Sequence, residues 1–69
     1  MKQVDRVLDY MTRFGGITTQ QAFRDLGITR LSARIADLKA AGVRIIGEMI
    51  EVEDRYGDKT HVKRYEVAR

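Results

Sequence analysis

An α+β fold, with three helices followed by a C-terminal β-hairpin, is what this 69-residue sequence predicts. Three observations carry the expectation. Apolar residues recur at the roughly 3.6-residue spacing of a helix as far as Leu38. After Gly42 the spacing drops to two, as in a half-buried strand. Glycines and threonines punctuate the helical part where helices stop and start.

Val4, Val7, Leu8, Met11 and Phe14 form one apolar stripe, with Asp5, Arg6, Asp9 and Arg13 between them, so the first element is an amphipathic helix ended by Gly15-Gly16. Thr18 and Gln21 stand three apart and predict a capping box, with Ile17 stapling onto Ala22. The second helix that starts there is expected to carry Ala22, Phe23 and Leu26 on its apolar side. It should stop at Gly27, where positive φ is free of steric cost. Thr29 is the expected N-cap of a third helix, with Ile28 stapling onto Ala33, Leu31, Ile35 and Leu38 facing inward, and Gly42 as the stop. Two short helices joined by a tight turn containing glycine have the outline of a helix-turn-helix.

Beyond Gly42, Ile46, Glu48, Ile50 and Val52 alternate with Gly47, Met49, Glu51 and Glu53. A two-residue turn at Gly57-Asp58 would return the chain along His61–Val67. In that register Ile50 faces Tyr65 and Glu51 faces Arg64, and Ile46, Ile50, Val52, Tyr65 and Val67 close over the helices. A short edge strand near Ile17 is a further candidate that the sequence leaves open.

At 43% hydrophobic and 33% charged, residues 1–69 are expected to form a single domain. A chain this short buries only about 60% of its unfolded surface, which favours binding over a deep catalytic cleft. Without cysteine there is no disulfide framework and no thiolate zinc site. No metal, cofactor or small-molecule ligand is expected, since His61 is the sole histidine and no Gly-rich phosphate loop is present. No membrane segment is expected, because no apolar run approaches roughly 18 residues, and Met1–Tyr10 alternates charged and apolar residues unlike a secretory leader. A cytoplasmic location, in a bacterial or infected host cell, follows as the expectation. Net charge is +3. Seven cations face four anions up to Gly42, whereas six face six from Val43 onward, so the surplus lies in the helical part.

The run Ala22-Phe-Arg-Asp-Leu-Gly-Ile-Thr, followed by Arg30-Leu-Ser-Ala-Arg-Ile and Leu38-Lys-Ala-Ala-Gly, resembles the small helix-turn-helix proteins of phages and prophages. More loosely it resembles the winged-helix part of bacterial transcription regulators. The resemblance covers essentially the whole chain and implies a winged helix-turn-helix, with the hairpin as wing and double-stranded DNA as partner. It implies a regulator or an accessory or architectural factor, acting with a possible homodimer mate or second protein on DNA.

In such proteins the third helix reads base edges, which places Thr29, Arg30, Ser32, Ala33 and Arg34 at the groove. The chemistry suits the role: arginine can donate two hydrogen bonds to guanine, and alanine lets the backbone approach or touches a thymine methyl. Thr18, Thr19 and Gln20, at a helix N-terminus, are candidates for phosphate, and Arg55 and Lys59 for the wing's contact. Asp37, three residues after Arg34, could instead hold that arginine in an intrahelical ion pair. The alternative function is a winged helix reused as a protein-interaction module, such as a small phage protein binding a host protein. It rests on the neutral hairpin, and salt dependence of duplex binding separates the two.

Overall fold

The computed structural model describes residues 2–68. The elements run α1 (Gln3–Phe14), β1 (Ile17–Thr18), α2 (Thr19–Leu26), α3 (Leu31–Ala40), β2 (Ile45–Glu53) and β3 (Lys59–Val67). The strands form one antiparallel sheet in the order β1-β3-β2. This is the α+β arrangement expected, with the candidate edge strand at Ile17 present: Ile17 pairs with Tyr65 and Thr18 with Arg64.

Local signals account for the helix limits. Gly15 takes φ 82° and donates its N–H to the Met11 carbonyl at 2.9 Å, closing α1. The capping box forms as predicted: Thr18 Oγ1 accepts from the Gln21 N–H at 3.2 Å, and Gln21 Oε1 accepts from the Thr18 N–H at 3.0 Å. After α3, the Val43 N–H reaches Leu38 and the Gly42 N–H reaches Lys39, both at 3.0 Å, around Gly42 at φ 96°. These two bonds satisfy carbonyls that the helix end would otherwise leave open.

The start of α3 differs from expectation. Thr29 is not the N-cap; Arg30 is, with φ −117° and ψ 59°, and no side chain caps the helix. The Arg30 carbonyl accepts the Arg34 N–H at 3.3 Å, so the helical ladder begins one residue later than the threonine would need. Phe23 is also corrected. It stands one residue, about 100° of helix, beyond Ala22, and an eight-residue helix that packs through Ala22 leaves it 62% exposed.

The core joins Val7 and Met11 of α1, Ile17 of β1, Ala22 of α2, Ile28 of the turn, and Leu31, Ile35 and Leu38 of α3. Ile45, Tyr65 and Val67 cover it from the sheet as half-buried side chains.

The hairpin register departs from the expected one. Ile50 pairs with Val62, Glu51 with His61 and Glu53 with Lys59, so Tyr65 lies opposite Gly47 and Arg64 opposite Glu48. The loop explains the shift. Asp54 Oδ1 accepts the backbone N–H groups of Tyr56 at 2.8 Å and Asp58 at 3.0 Å, while Asp54 N–H donates to the Asp58 carbonyl at 2.8 Å. Arg55-Tyr56-Gly57 is therefore a three-residue loop with Gly57 at φ 81°. Gly57 could equally serve as the first central residue of a type II′ turn, so the hydrogen bonds of Asp54, not the glycine, select the longer loop. The register moves by an odd number of residues, which exchanges faces. Ile45, not Ile46, joins Tyr65 and Val67 over the core, and Ile46, Ile50 and Val52 lie on the outward face with Val62.

Candidate nucleic-acid interface

Because Leu31, Ile35 and Leu38 turn inward, the rest of α3 is what the molecule presents. Ser32, Ala36, Asp37, Lys39 and Ala40 are exposed and Ala33 is half-buried, so the outward surface consists mainly of small side chains. Arg30 stands exposed at its N-terminal edge, next to Thr29. Ser32 and Lys39, seven residues and about two turns apart, share one flank. Among the described residues neither Arg30 nor Lys39 has an ion-pair partner.

Arg34 lies on the other flank, toward α1. Its Nη1 donates to Gln3 Oε1 at 3.3 Å. Its Nε is buried, 3.1 Å from Asp37 Oδ2 but not aligned as a hydrogen bond. The intrahelical pair allowed by the i, i+3 spacing is thus formed, and a contact 31 residues distant in sequence holds the same guanidinium. Nothing in the sequence signalled Gln3. The two-turn spacing of Ser32 and Lys39 is the sequence signal that adds Lys39 to this candidate surface.

At the start of α2, Thr18 is only 7% exposed and its hydroxyl is engaged in the capping box. Its role is to fix the first turn, where Thr19 and Gln20 are exposed and the leading N–H groups lack helical acceptors. On the wing, Arg55 is exposed at the tip with no ion-pair partner among the described residues. Lys59 Nζ lies 3.3 Å from Glu51 Oε1, and His61 Nε2 is 3.8 Å from Glu51 Oε2. Asp54, close in sequence, turns its Oδ1 into the loop backbone, which moderates the repulsion it would offer a phosphate.

The α1–α2 flank carries a separate polar link. Tyr10 donates its hydroxyl to Asp25 Oδ2 at 2.5 Å, and Arg24 Nε donates to Asp25 Oδ1 at 3.0 Å. The bond from Arg24, then that from Tyr10, holds the Asp25 carboxyl below its ordinary range; donation to Asp25 raises the Tyr10 hydroxyl. Among the described residues no group of His, Asp and Glu side chains converges to hold a metal ion. No helix of the described residues is long and apolar enough to cross a membrane.

A helix-turn-helix whose third helix runs straight into an antiparallel hairpin is matched by a family model described as a winged helix-turn-helix domain, over residues 2–69. The chain belongs to the winged helix-turn-helix family. No curated protein and no solved structure matches it significantly. A winged helix-turn-helix is a DNA-binding fold and typically non-enzymatic, so DNA is the partner class that membership indicates. In this winged helix the third helix is α3 and the wing is the β2–β3 hairpin.

Proposed function

We propose that this winged helix binds double-stranded DNA in a sequence-dependent manner, with α3 in the major groove. One observation carries the reading: the outward surface of α3 is built of small side chains beside Arg30 and Lys39, two cations with no ion-pair partner among the described residues. Small side chains let the helix backbone approach the groove floor, and an arginine at the helix start can donate two hydrogen bonds to guanine. Ser32 and Ala33 complete the reading surface, and Thr29 sits where the chain enters it. The leading N–H groups of α2, at the exposed residues Thr19 and Gln20 and set by Thr18, suit a phosphate, and Arg55 supplies the wing's charge with Lys59 behind it. Arg34, part-exposed and in contact with Asp37 and Gln3, remains a candidate that would exchange those contacts for a base.

A domain of this size acts by occupying a site, as a transcriptional regulator or an accessory or architectural factor. Similarity to small phage and prophage proteins supports a phage-related setting in the cytoplasm of a bacterial or infected cell. The test is selection of random duplexes against the protein at about 100 mM salt, where backbone attraction is partly screened. One enriched motif is the expected result. Arg30→Ala should then lose about 1–3 kcal/mol of discrimination at one base pair. Lys39→Ala should weaken all duplexes alike and lower the salt slope by about one. No enrichment, with negligible duplex affinity even at low salt, overturns the reading. The uncovered apolar side chains of the wing, Ile46 and Met49, would then favour a protein-interaction module.

A further inference from the structure

We propose that β2 is a self-pairing edge, through which two copies of the chain join antiparallel about Met49 into one six-stranded sheet. Among the described residues the strand order leaves one side of β2 without a neighbour. This edge carries no proline, no lysine and no interruption of its register, which are common protections of a free edge. Its glutamates are the remaining safeguard, and their placement decides which pairing they permit.

The ladder between β2 and β3 extends from Arg44, whose carbonyl accepts the Ala68 N–H at 2.8 Å, to Asp54, bonded to Asp58. Met49 is the midpoint of that stretch and is 60% exposed. A twofold axis normal to the sheet keeps each residue on its own face, so only registers centred on a residue bring like faces together. Centring on Glu48 or Glu51 sets a glutamate against its own copy, and centring on Val52 sets Glu51 against Glu53. Centring on Gly47 or Ile50 shortens the overlap and separates Arg44 from Asp54. Centring on Met49 uses the whole strand and sets no acid against another.

In that register Ile46 lies opposite Val52 of the second copy, twice, and Glu48 opposite Ile50, so the outward apolar residues of both copies form one stripe. Arg44, exposed and without an ion-pair partner among the described residues, comes opposite Asp54 at each end. Asp54 uses Oδ1 for its own loop, which leaves Oδ2 for Arg44. The pairing satisfies a row of backbone donors and acceptors that is otherwise left to water. It stands independently of the DNA reading, since none of these residues lies on α3.

The absence of cysteine permits a clean test without DNA. Met49→Cys places two thiols opposite each other, where the Cα atoms of paired strands fall within disulfide reach. Glu51→Cys lies on the same edge and face, but in this register its two copies are four residues apart along the strand, roughly 13 Å. Under mild oxidation Met49→Cys should form linked dimers at least about tenfold faster than Glu51→Cys, because the paired edge raises the effective thiol concentration. Adding Arg44→Glu to Met49→Cys should slow linkage at low salt. Equal rates for the two single variants overturn the proposal, as does a chain that sediments as a monomer up to about 1 mM. Circular dichroism of each variant shows that the fold is retained.

Discussion

The helical layer and the hairpin are held in place by different means. Every fully buried apolar side chain among the described residues lies between Val7 and Leu38, whereas the hairpin reaches the core only through half-buried Ile45, Tyr65 and Val67 at its base. Further out, cross-strand pairs such as Ile50 with Val62 are what remain. Charge divides the same way, with the positive surplus in the helical part and balance in the hairpin. Burial is concentrated in one layer, so truncating a side chain of the other should cost the fold less.

The sharpest way to break this comparison is to cut into both layers equally. Leu31→Ala removes a fully buried side chain and should cost about 2–5 kcal/mol. Ile50→Ala, on the outward face of the hairpin, should cost less than about 1 kcal/mol. Urea unfolding followed by circular dichroism measures both, and similar losses would show the hairpin to be as integral as α3.

A smaller effect separates the two regions at their glycines. Gly42, at φ 96°, and Gly57, at φ 81°, both have open space where a side chain would go, so alanine brings only backbone strain of about 1–2 kcal/mol. At Gly42 the strain falls on the end of α3 and should appear in full in the unfolding midpoint. At Gly57 the loop can relax by opening locally, which should show as faster amide exchange around Asp54 and Asp58 with a smaller loss of global stability.

The smallest effect belongs to the Tyr10–Asp25–Arg24 link. Asp25 titrates below its ordinary value of 3.8 when folded, so its contribution is complete above that pH and disappears as pH falls through the lowered folded value. Tyr10 titrates above 10.0, so its contribution is complete below that pH and disappears as pH rises through the raised value. Tyr10→Phe should reduce the acid dependence of the urea midpoint, leaving the part due to Arg24, and should remove this tyrosine's alkaline dependence. Asp25 is exposed and Tyr10 only half-buried, which keeps the changes slight.

The sequence is most legible where a signal closes on itself within a few residues. The capping box of Thr18 and Gln21, the glycine stops at Gly15, Gly27 and Gly42, and the inward stripe of α3 involve partners no more than five residues apart, so spacing alone specified them. The order of elements followed, and with it the fold class and the location of the candidate interface on α3.

Tertiary structure decided what depends on distant partners. The hairpin register turned on how the Asp54 side chain organises its loop, and a shift that small exchanges the strand face that meets the core. Packing of α2 through Ala22 sent Phe23 to solvent, and folding gave Arg34 a partner on α1, Gln3. Pairing of Ile17 with Tyr65 made the edge strand that the sequence left open. In each case the local chemistry permits more than one arrangement. The contact that selects among them joins residues that only the folded chain brings together.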